Sequence, residues 1–268
     1  MTKLNFWKRP LAVLTLAGLV VGGASASAMA QSIAEIESRG TIHIGVLQDF
    51  PPFGSIDTSG QTIGYDPDLA KAYADSLGVE LNIVPVTSAN RVQYLLAGQV
   101  DVLFASLGIT EERAKVVDFS IPYAGLQQFV YGDKNVEVAG PDDLAGQTIA
   151  VTRGTTQDIG VTNVAPPTAT IQRYDEDASS VQALLSGQAP LIGLSNIAID
   201  QVEKQAPDRF DIKFKLSEQV QGIAVRKDAA ELLGNIDDFL RAKLADGSLA
   251  ELHQQWMPGQ LPDAVFKQ

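Results

Sequence analysis

Short apolar runs alternate with amphipathic stretches from residue 40 onward, the pattern of an α/β protein. Ile42, Ile44 and Val46 alternate with polar or small residues and predict a first strand. Gly64-Tyr65-Asp66-Pro67-Asp68-Leu69 then predicts a helix start, with Asp66 as N-cap, Pro67 at the first helical position and Gly78 as the stop. Leu69, Tyr73, Ala74 and Leu77 share one face of that helix. Val79, Leu81 and Ile83 predict the next strand, and Ser88 caps a short helix carrying Val92, Leu95 and Leu96 that Gly98 ends. Residues 102–107 form a near-continuous apolar run, as in a strand covered on both faces. Thr110 opens a further helical turn. Glu111 and Glu112 suit its positive end, which leaves Arg113 as the unusual member.

A second unit opens after Tyr131-Gly132. It has a helical turn at 142–146, a strand at 148–151, and a Gly154-Thr155-Thr156 step into the next element. A helix over 179–185, a buried strand over 191–194 and a helix over 197–202 follow. Ile212 and Phe214 alternate again, 222–225 is a strand, and helices cover 229–245 and 249–256. Two α/β units of about 100 residues each suit the length better than one enlarged core. Periodicity does not assign the last two helices to either unit.

The N-terminus changes the picture. Lys3, Lys8 and Arg9 precede an apolar run over 11–24, and Ala28-Met29-Ala30 fits a small-x-small cleavage site. Residues 1–30 are therefore expected to be an export signal cleaved near Ala30, which places the product in the periplasm. The apolar run is shorter than the roughly 20 residues a spanning helix needs. Loss of three basic residues and no acidic one moves the formal net charge from -12 to -15. Such a surface excludes nucleic acid and anionic lipid as main partners. With no cysteine there is no disulfide and no lipid-bearing thiol, so no membrane anchor is expected. His43 and His253 are far apart without carboxylates at ligand spacing, so neither a metal site nor a cofactor is expected.

A set of short motifs runs through the chain in order. They are Asp49-Phe50-Pro51-Pro52-Phe53, Gly64-Tyr65-Asp66-Pro67-Asp68-Leu69-Ala70, Ser106 to Arg113 with Asp118-Phe119-Ser120, Asp143-Leu144-Ala145-Gly146, and Gly154-Thr155-Thr156. In this order and spacing the mature chain resembles the periplasmic polar-amino-acid-binding proteins of ABC importers, solute-binding protein family 3. The resemblance implies a periplasmic-binding-protein-like type II fold, two α/β lobes joined by a two-strand hinge. Lobe one would comprise 31–126 and 222–268, and lobe two the inserted 127–221. It further implies a monomeric chain whose ligand, an amino acid or related zwitterion, lies between lobes that close on it, and whose partner is an ABC importer permease.

Read residue by residue, Arg113 offers a planar fork for a carboxylate, against the alternative of a surface arginine paired with Glu111 or Glu112. The resemblance makes it the α-carboxylate ligand. Ser106 and the Gly108 N–H would complete an anion-binding turn, although many relatives carry Ser or Thr at Gly108. Phe50 matches the aromatic that stacks over the ligand, while Phe53 packs the loop. Arg91 is a helix-start arginine badly placed against the dipole. In the resemblance it meets a side-chain carboxylate, which favours glutamate or aspartate while leaving glutamine open. Thr156 and Arg153 match lobe-two positions near the ligand, and Arg153 is equally consistent with a surface role. Where many relatives place an aspartate on the ligand ammonium, this chain has Ser195 followed by Asn196. Asp158 is the candidate replacement. Binding without catalysis is the expected function. The alternatives are a cyclohexadienyl or prephenate-like dehydratase on the same fold, and a soluble ligand-sensing interaction protein.

Overall fold

The structure is a computed structural model and describes Met1 and residues 32–266. Apart from Met1, the expected export signal lies outside the described residues. In chain order the strands are β1 (Thr41–Leu47), β2 (Asp49–Phe50), β3 (Gly54–Ile56), β4 (Thr62–Ile63), β5 (Glu80–Val86), β6 (Val102–Leu103), β7 (Val117–Asp133), β8 (Thr148–Thr152), β9 (Thr170–Tyr174), β10 (Leu191–Ser195) and β11 (Phe210–Arg226). The α-helices are α1 (Ile33–Arg39), α2 (Tyr65–Leu77), α3 (Arg91–Leu96), α4 (Glu111–Ala114), α5 (Thr156–Val164), α6 (Asp177–Leu185), α7 (Asn196–Gln205), α8 (Ala230–Ala245), α9 (Ser248–Trp256) and α10 (Asp263–Phe266).

Eight strands form one sheet in the order β5-β1-β6-β11-β7-β10-β8-β9, and β2-β3-β4 form a small second sheet. Within the large sheet, β5, β1 and β6 are parallel at one end, as are β10, β8 and β9 at the other. Between them run β7 and β11, 17 residues each, antiparallel from Phe210↔Asp133 to Arg226↔Val117 with several register shifts. These two strands are the hinge that carries the chain from one lobe to the other. A long antiparallel pair interrupted by bulges twists and bends more readily than a regular ladder.

The cores follow this division. One hydrophobic cluster gathers Ile36, Ile42, Tyr73, Phe104 and Val225 with Leu232, Ile236 and Leu240 of α8 and Leu249 of α9. The last two helices therefore pack on the N-terminal unit, which periodicity had left open. Two further clusters, around Tyr131, Ile192 and Phe210 and around Val130, Ile149 and Val161, cover the faces of β8 and β10. Ile197 of α7 belongs to the first cluster, so the two lobes also touch through apolar surface.

Three local expectations are corrected. Gly64, not Asp66, is the N-cap of α2. Asp66 is fully buried and accepts the Tyr123 hydroxyl at 2.8 Å, a stronger pull than an exposed cap position exerts. Asn90, not Ser88, precedes α3, and Asn90 and Thr87 exchange bonds of 2.8 and 3.3 Å between side chain and backbone. Only Val102–Leu103 of the 102–107 run pair as strand, because beyond Leu103 the backbone leaves the ladder to build a turn. That turn, the β1–β2 connection and the Gly154 loop lie at carboxyl ends of parallel strands, where α/β sheets bind ligands.

Candidate functional site

The turn at Ser106 is the most constrained part of the molecule. Ser106 has φ 46, a left-handed conformation that costs a non-glycine residue on the order of 1–3 kcal/mol. Neighbours hold it there. The Ser106 N–H donates to the Tyr123 hydroxyl at 3.1 Å, which in turn donates to Asp66. Tyr65 donates to the Tyr123 carbonyl at 2.9 Å. From the other side the buried Arg91 guanidinium donates to the Ala105 carbonyl and, at 3.4 Å, to that of Ser106. Ser106 Oγ has no protein partner and is buried.

Burial pushes the Asp66 carboxyl up to about 7, against the lowering effects of the Tyr123 hydroxyl, the Ser106 backbone and Arg91. The folded protein therefore binds a proton there that the unfolded chain releases near pH 4. Stability from this group is present at low pH and falls as pH rises through about 4 to 7. Asp66→Asn keeps an acceptor for Tyr123 and removes the titration. Melting temperatures recorded from pH 5 to 8 are expected to fall less with pH in the variant than in wild type. Parallel curves would remove Asp66 as the source.

Arg113 is set by α4, whose N-cap Thr110 accepts the Arg113 N–H at 3.2 Å. Its guanidinium donates to the Gly108 carbonyl at 2.6 Å and, across the cleft, to the Gly154 carbonyl at 2.7 Å. Neither bond goes to Glu111 or Glu112, which rules out the surface pairing. Burial, followed by the neighbouring Arg91, lowers its pKa to about 9, so it stays charged at neutral pH. Arg91 also reaches Gly154 O, at 3.5 Å. Two buried cations of one lobe thus converge on one carbonyl of the other.

The cleft beside them is lined by Phe50, Arg91, Ser106 and Gly108 from the first lobe and by Thr155, Thr156 and Asp177 from the second. Gln128 of β7 and Gln221 of β11 close it at the hinge. Phe50 stacks on Phe53 with centroids 5.5 Å apart and planes 8° from parallel; Phe53 is wholly buried, as expected for loop packing. Gly108 has a reason beyond its turn. A Cβ there would lie 2.7 Å from Thr156 Cγ2 and 2.8 Å from Gln219 Cγ, so a serine would collide with the other lobe.

Arg113 stands beside the cleft lining rather than in it, and the structure takes three further expected residues away from it. Asp158 is engaged with Arg173 at 2.9 Å, with Thr162 at 3.2 Å and with the Gly154 N–H at 3.3 Å. Arg153 is exposed and pairs with Asp175 at 2.9 Å. Ser195 is buried and caps α7, accepting the Ala198 N–H at 3.3 Å. Each is consumed by local structure: an ion pair at the α5 start, a surface pair and a helix cap. Among the lining residues that went unread in the sequence are Gln128, Gln221 and Asp177. Gln128 follows Gln127 in β7, and a polar pair gives no sign of which amide turns inward. Gln221 stands at a bulge, and Asp177 looks like an ordinary acid at a helix start.

Among the described residues, buried side-chain polar atoms without a partner include Arg91 Nε, Ser106 Oγ, both amide atoms of Gln128 and Gln221 Oε1. All of these belong to residues lining this cleft. Buried polar groups are otherwise almost always satisfied, so their concentration here marks a place built for a polar molecule. No group of three or more potential metal ligands occurs among the described residues.

A two-lobed α/β protein with an arginine-lined polar cleft at its hinge is a solute-binding protein by architecture. The chain matches the model of the bacterial extracellular solute-binding proteins, family 3, over residues 42–259, and it belongs to that family. It is 27% identical over 246 residues to the L-cystine-binding protein TcyJ of Escherichia coli, covering 90% of this chain and 92% of the relative. The arginine-bound form of a truncated ArgBP from T. maritima superposes with a TM-score of 0.72 at 38% identity, covering 78% of this chain and 99% of that one. An ancestral amino acid-binding protein described as a precursor of cyclohexadienyl dehydratase superposes with a TM-score of 0.77 at 31% identity, covering 84% and 99%.

Proposed function

We propose that this protein binds a polar amino acid in the periplasm and delivers it to the permease of an ABC importer. The observation that carries the reading is the Arg113 fork beside a turn whose buried polar atoms have no protein partner. Each terminal nitrogen of Arg113 holds one backbone carbonyl and keeps a second N–H; a ligand carboxylate would take these and a bond from Ser106, with Phe50 over the side chain. Thr156, from the second lobe, would latch it. Only contacts that both lobes make in the closed form drive closure, and the permease reads the closed shape. In this reading lobe one is 31–126 with 222–268, lobe two is 127–221, the protein acts as a monomer, and 1–30 is removed on export. Among the described residues no helix is long and apolar enough to cross a membrane.

Side-chain preference is set at the Phe50 end. A preference for glutamate or aspartate would rest on Arg91, whose Nε has no partner and whose terminal nitrogens, like those of Arg113, already donate to backbone carbonyls. Asp177 on the facing wall opposes it. A thermal-shift screen of amino acids, after unfolding and refolding to strip bound ligand, tests the function. A ligand at one hundred times its Kd stabilises the native state by about 2.7 kcal/mol and raises the melting temperature by roughly 5–10 °C. No shift with any amino acid would overturn the reading.

A dehydratase is the second reading, and Asp177 is what favours it. Burial pushes its carboxyl up to about 7, with Asp49 adding to the rise, as a general acid at neutral pH requires. Incubation with prephenate and assay for the aromatic product separates the two. Turnover establishes the enzyme, and an unconsumed substrate removes it.

A further inference from the structure

We propose that Asp177 is the counter-charge for a cationic nitrogen of the ligand, the role Ser195 does not fill, and that the ligand is an amino acid of zero or positive net charge. The inference rests on the amino-acid-binding reading and narrows its substrate class.

The argument starts from charge placement. Arg91 lines the cleft and Arg113 stands beside it, both donating to the Gly154 carbonyl of the other lobe, charge enough to hold one carboxylate. The ligand's own cation then needs an acid, because a buried ammonium among neutral groups is costly. Asp66 lies beneath the Ser106 turn, fully buried and bonded to Tyr123, and does not line the cleft. Asp158 is held by Arg173. Ser195 gives its hydroxyl to the α7 cap.

Asp177 remains, and it lines the cleft. As the first residue of α6 its backbone position is fixed, and its N–H donates to Asp49 Oδ2 of the opposite lobe at 3.1 Å. The Thr152 hydroxyl donates to Asp177 Oδ1 at 2.7 Å, and also meets Ser180 Oγ at 2.9 Å, which orients the carboxylate from behind. Asp177 is half-buried and borders both this cleft and a neighbouring pocket shared with Asp49 and Pro51. A second, independent feature points the same way. Gln128 and Gln221, each 1% exposed, line this cleft with Oε1 atoms that have no partner. The cleft lining thus carries a carboxylate that can supply the charge and two amide oxygens free to accept. The same carboxylate faces any acidic side chain with like charge.

A cationic nitrogen can be the α-ammonium or a side-chain group, and titration calorimetry distinguishes them. Wild type and Asp177→Asn are titrated with L-glutamine, L-arginine, L-cystine and L-glutamate. Wild type is expected to bind one or more of the first three at least tenfold more tightly than glutamate, and the variant to lose about thirtyfold or more for those ligands. Loss for arginine with glutamine untouched places Asp177 on the side chain; loss common to all places it on the α-ammonium. Wild-type preference for glutamate, or affinities within threefold in the variant, would overturn the assignment and leave the binding reading intact. Failure of wild type to bind any of the four would overturn the assignment, and the binding reading falls with it only if the thermal screen shows no shift with any amino acid. Thr152→Val, which removes only the hydroxyl behind Asp177, is the second variant. It is expected to weaken the same ligands in the same order, and unchanged affinity in it would sink the assignment if Asp177→Asn does not fold.

Discussion

Arg113→Ala is expected to reduce ligand affinity at least a hundredfold. A guanidinium that bridges Gly108 O and Gly154 O is one of the few groups touching both lobes, and in a ligand complex its fork is also the carboxylate donor. Removing one partner of a buried charge pair costs about 2–5 kcal/mol, because the other charge stays buried and unpaired. Arg113→Lys is expected to recover little. An ammonium on a flexible stem does not reach two acceptors in one plane. Calorimetry with whichever amino acid the thermal screen selects measures the loss, and a melting temperature close to wild type without ligand separates it from unfolding. Near-native affinity in Arg113→Ala would remove the arginine from the site.

Gly154→Ala is expected to disable closure. Gly154 has φ +74, and an added Cβ would sit 2.7 Å from the Ser88 carbonyl and 3.2 Å from Ala89 Cα, backbone atoms of the other lobe. Two effects combine: the left-handed conformation costs on the order of 1–3 kcal/mol, and the methyl wedges the lobes apart. Gly40→Ala is the control. Gly40 has φ +72 at the end of α1 with nothing within 4 Å of an added Cβ, so it carries the conformational cost without the wedge. Both variants should lose melting temperature, but only Gly154→Ala should lose affinity and fail to contract on ligand addition in small-angle scattering. Equal affinity in the two would show that Gly154 matters for its backbone alone.

Local order was readable from the chain wherever a single element determines it. The β1 alternation, the α2 stop at Gly78 and the Thr110 cap of α4 all stand where spacing puts them, because each depends on neighbours within a few residues. Phe50, Arg91, Ser106, Gly108 and Thr156 meet at one cleft because their motifs mark strand ends and helix starts. The misses share a cause. Whether Asp158 faces a ligand or Arg173 depends on where β9 lies, and Asp66 turned inward because Tyr123, 57 residues away, offers a hydroxyl. Strand β7 was unreadable because Pro122, Gly125 and the Gln127-Gln128 pair break its alternation.

By itself the sequence determined an α/β chain in two units and a family resemblance, and it singled out one arginine as a candidate for a carboxylate. Those follow from periodicity, caps and motif order, all of which are local. Tertiary structure alone brought Gly154 to Arg113, set Gly108 against Thr156, and stood Asp177 with Gln128 and Gln221 around one cleft. These groups lie on different elements, and only the pairing of β7 with β11 across the hinge brings them within reach of one another.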